Sequence, residues 1–394
     1  MSASRFRILT LNNISPVGLA RLDAARYETG TTIVDPDAML VRSADLHTMP
    51  IADTVKAIGR AGSGTNNIPV PAMTTRGVPV FNAPGANANA VKELVIAGLI
   101  MASRSIGPGW QFARGLEGDD ATLHKAVEAG KKAFAGFELS GRTLAVIGLG
   151  AIGGRVANAG VALGMRVVGF DPALTVEAAW QLDPRVTHLR SLDELFTVAD
   201  YVSLHVPLMP ATRGLVSAGR LQMMRPGAVI VNFAREGIVD EAAIVAALNA
   251  GALHAYVSDF PTAATTRHPR CVTLPHLGAS TGEAEDNCAV MVADQVRDFL
   301  DRGDVRNSVN FPQVITAGPL AHRLVYAGAS TSPLSSMMLA TLETAGVTAT
   351  TSTSGTRGDL VYGVVDTATE VPAAVVEQLR QVDGVSMVRV IPPA

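Results

Sequence analysis

Residues 143–171 read TLAVIGLGAIGGRVANAGVALGMRVVGFD. Gly148, Gly150 and Gly153 stand there in the spacing G-x-G-x-x-G, between an apolar run that reads as a strand and a stretch that reads as a helix. A second apolar run, RVVGF, ends on Asp171. Each glycine has its own use. Gly148 permits a tight turn, Gly150 lets backbone approach a pyrophosphate, and Gly153 lets helix and strand close on one another. The helix start offers unpaired N–H groups and the positive end of a dipole to phosphate. A carboxylate at position 171 accepts hydrogen bonds from the adenosine ribose hydroxyls and repels a 2′-phosphate. The pattern points to a dinucleotide, and to NAD rather than NADP.

Nicotinamide takes a hydride from a carbon that bears a hydroxyl, and the hydroxyl proton must leave with it. A base is therefore needed, and histidine ionises close to working pH. His276 lies in CVTLPHLGAST (271–281), just past an apolar strand, at the end of a parallel sheet where ligands bind. If the substrate is a hydroxy acid it also carries a carboxylate, which a forked guanidinium grips at two points. Arg235 follows AVIVNF (228–233) and occupies the same edge.

Holding these groups together takes strands that alternate with helices, hence parallel sheets. RILTL (7–11), AMLVRS (38–43), TVKAIGRAGSG (54–64) and VPVFNA (78–83) read as strands of a first unit. PVGLARLDAA reads as a helix capped by Ser15, with Pro16 in its first turn. A long helix begins at Asn89, and residues 104–140 read as irregular. TLAVI, RVVGF, YVSLHVP, AVIVNF and CVTLP build a second unit of the same kind. A helix over 280–303 opens on a capping box of Ser280 and Glu283 and stops at Gly303. Residues 307–319 read as a linker, and the tail beyond them runs βαββαβ, the ferredoxin-like order. The fold class expected is thus α/β: two Rossmann-like parallel-sheet domains with a cleft, plus a C-terminal ferredoxin-like βαββαβ domain.

The composition agrees with this. The chain has 394 residues, 48% apolar and 17% charged, which suits a globular protein of two or three domains. A net charge of −3 without a basic stripe argues against nucleic acid or an anionic membrane as partner. No membrane span is expected, and MSASRFRILTLNN is not expected to act as a secretory leader. Cys271 and Cys288 form no CxxC and no disulfide framework, which suits a reducing compartment, so a cytoplasmic location is expected. No metal site is expected.

Together GLGAIG with its following Asp171, LHVPLMPATRGLV, NFAREGIVD, LPHLGAST and NSVNFP resemble the D-isomer-specific 2-hydroxyacid dehydrogenases, and the tail resembles the ACT regulatory domain. GRAGSGTNNI (59–68), NSVNFP and the tail narrow the resemblance to members that oxidise 3-phospho-D-glycerate to 3-phosphohydroxypyruvate, the first step of serine synthesis. The resemblance implies a substrate domain from 1–100 and 283–312, an NAD-binding domain over 101–282, and an ACT-like domain over 320–394 for regulation or oligomerisation. It implies His276 as acid/base and Arg235 on the substrate carboxylate. Arg60, Ser63 and Gly64 meet the substrate, with Lys132 either helping them or solvated. Ala151, Ile152, Phe233, Ala234, Arg235 and Gly278 line the cofactor. His205 and Pro207 close its crevice, unless His205 is a buried structural histidine. A small-molecule substrate and a homo-oligomer, dimer or tetramer, are the expected partners.

Several positions depart from the family pattern. The family pairs its histidine with a glutamate, and here that position falls on Ala263. The aspartate usual beside the nicotinamide falls on Ser258. Asp259, one residue on, is the expected replacement: it pairs with His276 or contacts the nicotinamide. Glu236 follows Arg235 where glycine is usual, and Lys92 faces either cleft or solvent. The tail lacks the asparagine and Pro-Gly turn of effector-binding ACT domains, so a dimerisation role rivals serine feedback. Two other readings stand beside the main one: a glyoxylate or hydroxypyruvate reductase, and a non-catalytic NAD(H) sensor.

Overall fold

The computed structural model describes residues 5–318 and 322–393. Pro319, at the end of the expected linker, and Leu320, at the start of the expected tail domain, lie outside the described residues. The chain divides into two compact units: 1–87 with 282–394, and 88–281.

In the first unit β1 (Phe6–Leu11), β2 (Tyr27–Gly30), β3 (Ala38–Val41), β4 (Ala57–Arg60) and β5 (Val80–Phe81) form a parallel sheet in the order β2-β1-β3-β4-β5. AMLV of β3 is buried throughout, as a strand covered on both faces must be. The helix Gly282–Arg302 returns to cover this sheet. It buries Ala284, Cys288, Ala289, Val292, Val296 and Phe299, the three-and-four spacing of one helical face. Since it starts at Gly282, Glu283 is its second helical residue, and Ser280 with Glu283 cannot form the expected capping box. Nor is 307–318 a linker. Phe311 is fully buried, and Asn310 accepts from Val80 N (2.8 Å) and donates to Val78 O (3.0 Å). The amide side chain satisfies backbone at the sheet's edge, which ties the segment down.

The tail forms an antiparallel sheet of β13 (His322–Ala329), β14 (Ala349–Arg357), β15 (Leu360–Thr367) and β16 (Val385–Ile391), ordered β14-β15-β13-β16. Helices Leu334–Thr344 and Ala373–Arg380 pack on Leu324, Tyr326, Val361, Val365 and Val388. The opposite face sends Val325, Ala327, Tyr362, Val364 and Ile391 into the core beneath helix Gly282–Arg302. Three side chains, Arg323 and Tyr362 fully buried and Arg389 half-buried, then take up the carbonyls at that helix's end. Arg389 donates to Phe299 O (2.5 Å) and Leu300 O (3.0 Å), Arg323 to Arg302 O (2.7 Å) and the Tyr362 hydroxyl to Gly303 O (2.5 Å). Cations belong at a helix C-terminus, where orphan carbonyls and the dipole are negative. The tail sheet is therefore fused to the first unit through one of its faces.

Arg323 is wholly buried and meets Asp366 in a fork, at 2.6 and 3.0 Å. Burial pushes the Asp366 carboxyl up, but the Arg323 guanidinium and the Thr351 hydroxyl outweigh it and hold the group below its usual range. A carboxyl so depressed adds stability that is present above its unfolded value of about 3.9 and is lost as pH falls through the folded value. The melting temperature is expected to drop as pH falls below about 4. Asp366→Asn should flatten that drop in a calorimetric pH series.

The second unit has seven parallel strands: β6 (Thr143–Ile147), β7 (Arg166–Phe170), β8 (Thr187–His188), β9 (Tyr201–Leu204), β10 (Ala228–Asn232), β11 (Leu253–Ser258) and β12 (Cys271–Thr273). Their order is β12-β11-β10-β9-β6-β7-β8, so the chain reverses direction across the sheet between β6 and β9. Helix Ala88–Arg104 packs here through Val91, Val95 and Leu99. Residues 104–140 are not irregular. They form helices Ile106–Arg114 and Asp120–Gly130 and a 3-10 turn, Lys131–Phe134. Asp119 caps the second helix by accepting from Thr122 N (3.0 Å), and Pro108 sits near the start of the first, where it costs no hydrogen bond. Neither helix buries a residue, and Trp110 is 61% exposed. Among the described residues no helix is long and apolar enough to cross a membrane.

Candidate active site

The turn after β6 needs its glycines. Gly148 has φ +88°, and a Cβ there would lie 2.5 Å from His205 O. A Cβ on Gly153 would lie 1.8 Å from Gly148 O, so helix Gly153–Ala162 could not start where it does. At Gly150 the opposite holds: nothing lies within 4 Å of the Cβ position. The turn is thus closed on two sides and open on the third. Asp171 completes it, with one oxygen accepting from Leu149 N (2.8 Å) and the other from Ala173 N (2.9 Å). A groove of about 350 Å³ runs beside the turn past Gly150, Ala151, Arg155 and Thr175. Turn and carboxylate sit at the reversal point between β6 and β9, the usual crevice for a dinucleotide. These residues fit NAD: open backbone for a pyrophosphate and a fixed carboxylate with lone pairs left for ribose hydroxyls. Ile152 is half-buried beside Ala151.

His205 follows β9. Its Nε2 lies 2.8 Å from Ser203 Oγ, and its Nδ1 is buried without a hydrogen-bond partner among the described residues. Burial pulls the imidazole pKa down to about 3, so the ring is neutral near pH 7. Pro207 is exposed just after it.

β10 and β11 end level with one another, Asn232 opposite Ser258. Phe233 and Ala234 turn inward, and Arg235 is exposed. Asn232, which is 1% exposed, shapes this turn: its Oδ1 accepts from Ala234 N (3.1 Å) and its Nδ2 donates to Arg235 O (2.9 Å). Arg235 donates through Nη1 to Ala234 O (2.7 Å), leaving much of its fork for a ligand. Sequence reasoning missed Asn232; the signal was an amide closing an otherwise apolar strand.

His276 is exposed on the loop after β12 and has φ +56°. A non-glycine residue held there costs about 1–3 kcal/mol, and such strain collects at functional sites. The Phe260 ring meets the imidazole edge-on, with centroids 5.2 Å apart. Asp259 is 1% exposed, and its oxygens accept from Leu277 N and Gly278 N, both at 2.7 Å. Burial pushes its carboxyl above the usual range, against the pull of those two N–H groups and of His276. Ser258 is buried, with Phe260 N donating to its hydroxyl (3.1 Å), and Ala263 is exposed.

In the first unit Arg60 ends β4, and its guanidinium lies across Gly62, where a Cβ would come 1.5 Å from Nη1. Ser63 and Gly64 follow, half-buried, and Asn82 Nδ2 donates to Ser63 O (2.7 Å). Lys132 is exposed on its 3-10 turn, and Lys92 pairs with Glu93 at 3.5 Å.

Residues 107–278 match the family model described as "D-isomer specific 2-hydroxyacid dehydrogenase, NAD binding domain". Residues 107–278 thus form a D-isomer-specific 2-hydroxyacid dehydrogenase NAD-binding domain. NAD is the cofactor of that domain, in agreement with the fit of the glycine turn and Asp171. The chain is 39% identical over 287 residues to the D-3-phosphoglycerate dehydrogenase of Mycobacterium bovis, covering 71% of this chain and 52% of that one. It is 38% identical over 292 residues to that of Methanocaldococcus jannaschii, covering 72% and 53%. It thus spans about half the length of the curated relatives it matches. Among solved structures, NAD+-bound 3-phosphoglycerate dehydrogenase of Entamoeba histolytica matches with a TM-score of 0.61 and 25% identity, over 78% of this chain and 99% of that one.

Proposed function

We propose that the chain oxidises 3-phospho-D-glycerate to 3-phosphohydroxypyruvate with NAD, the first step of serine synthesis, in the cytoplasm. The observation that carries this reading is that the second unit, whose glycine turn fits NAD, presents both an exposed, strained His276 and an exposed Arg235 on loops that follow strands of its sheet. The curated relatives named as D-3-phosphoglycerate dehydrogenases support the choice of substrate. NAD, when bound, accepts the hydride from the hydroxyl-bearing carbon. His276 takes the hydroxyl proton as the carbonyl forms, and Arg235 grips the carboxylate so that this carbon is correctly turned. Arg60, Ser63 and Gly64 hold the phosphate, with Lys132 within the same role, and neutral His205 and Pro207 border the cofactor. Two free cysteines fit a reducing compartment. The apolar residues left exposed on the helices of 106–130, Trp110 above all, support assembly into a homo-oligomer. The domain division follows the same reading, with the tail sheet as a third domain for regulation or oligomerisation.

NADH formation from 3-phospho-D-glycerate by the purified chain tests the activity. Arg60→Ala then tests the substrate class. The KM for phosphoglycerate is expected to rise at least tenfold, the effect of about 1.4 kcal/mol, while lactate-sized hydroxy acids are affected less. Equal effects on both would favour a reductase of glyoxylate or hydroxypyruvate. A wild type that binds NADH and turns nothing over would favour the sensor, to which Ala263 in place of a glutamate lends support.

A further inference from the structure

The family pattern orients its histidine through a carboxylate on another segment, and this chain has alanine at that position. The structure holds the histidine in a different way. Three successive backbone N–H groups, of His276, Leu277 and Gly278, converge on one residue. The first donates to Asp259 O (3.2 Å) and to Leu274 O (3.0 Å), and the other two donate to the Asp259 carboxylate, 2.7 Å each. We propose that Asp259 is a positioning residue, whose buried carboxylate fixes the loop bearing His276 through its main chain and so replaces the missing side-chain partner of the imidazole. This rests on the reading of His276 as the base.

Four further observations point the same way. Both carboxylate oxygens accept from the loop, so the group acts as a clamp. Charge-assisted hydrogen bonds of this kind are short and strong, and they hold best when the acceptor is buried, as Asp259 is. His276 has φ +56°, a conformation that persists in a non-glycine residue only where the surroundings impose it. Position 278 is glycine, and a Cβ there would come 3.1 Å from Asp259 Oδ2. Finally, Asp259 N donates to Asn232 O (3.1 Å), and Asn232 in turn shapes the turn of Arg235. One backbone hydrogen bond therefore joins the loop of the base to the loop of the guanidinium. Two polar residues closing neighbouring strands set both functional side chains.

The test is a double-mutant cycle on the full chain, with NADH formation from 3-phospho-D-glycerate as the activity and NADH binding as the check on the cofactor site. In Asp259→Asn one oxygen becomes a donor facing a backbone donor. We expect kcat to fall about 100-fold with NADH affinity unchanged, the cost of a base misplaced by an ångström. In a His276→Ala background the same change should cost nothing more, because both act through one group. Gly278→Ala, which presses on the clamp from the other side, should also lower kcat. In nuclear magnetic resonance spectra with labelled leucine and glycine, the Leu277 and Gly278 amides should lie downfield and lose that shift in Asp259→Asn. A wild-type kcat in Asp259→Asn, or a full further loss in the His276→Ala background, would overturn the proposal. If instead His276→Ala alone keeps wild-type turnover, the reading of His276 as base fails, and the amide shifts alone then report whether the clamp exists. Should Asp259→Asn not fold, Gly278→Ala takes its place in the cycle, with the same two outcomes against the proposal.

Discussion

His276→Asn is expected to lower kcat for phosphoglycerate oxidation by about 10²–10⁴-fold, the usual worth of a general base, with little change in KM for NAD. Asparagine is the informative replacement. The loop holds residue 276 at φ +56°, and asparagine tolerates that region better than other side chains. The backbone contacts of residues 276–278 to Asp259 therefore survive, and the edge-on neighbour Phe260 keeps its place. What disappears is the basic nitrogen. A drop confined to kcat assigns proton transfer to the ring. A drop in NADH binding alone would place the residue with the cofactor instead. Steady-state kinetics alongside NADH fluorescence separates the two.

Arg323→Met is expected to destabilise the first unit by about 3–5 kcal/mol, because it strands the Asp366 carboxylate in the interior. Arg323 is wholly buried and donates to Asp366 twice, to Arg302 O and to Thr316 Oγ1. Its loss therefore removes a charge partner and uncaps a helix end together. The cost should be largely recovered in the double variant Arg323→Met with Asp366→Leu, since an apolar pair of similar volume is often no worse than a buried ion pair. Urea unfolding of the single and double variants measures both. A single variant within about 1 kcal/mol of wild type would mean that the fork contributes little beyond its own desolvation.

Much of this was legible in the chain itself. Fully apolar strands followed by glycine, proline or a polar residue give two parallel sheets, and the glycine turn with Asp171 marks the cofactor crevice, because only glycine fits where Gly148 and Gly153 approach other backbone so closely. The alternation of the tail gave its βαββαβ order. Other features depend on contacts distant in sequence and had no local signal. The strands β2 (YETG) and β8 (TH) carry no apolar run, and each exists because a neighbour pairs with it. Residues 307–318 look like a linker until Phe311 meets the core and Asn310 meets the edge of β5. The helices of 106–130 bury nothing, so no apolar stripe announced them. At the site, Arg235 and His276 were readable from their places after strands. The clamps of Asn232 and Asp259 were not, because their partners are backbone N–H and C=O groups that carry no residue-type signature.

A crystal structure with NAD and 3-phospho-D-glycerate bound is the most direct test of the chemistry. A ring nitrogen of His276 should lie about 2.6–3.2 Å from the hydroxyl of the carbon that faces the nicotinamide, with Arg235 against the neighbouring carboxylate. An imidazole pointing to solvent while the substrate hydroxyl is bound by another group would contradict it.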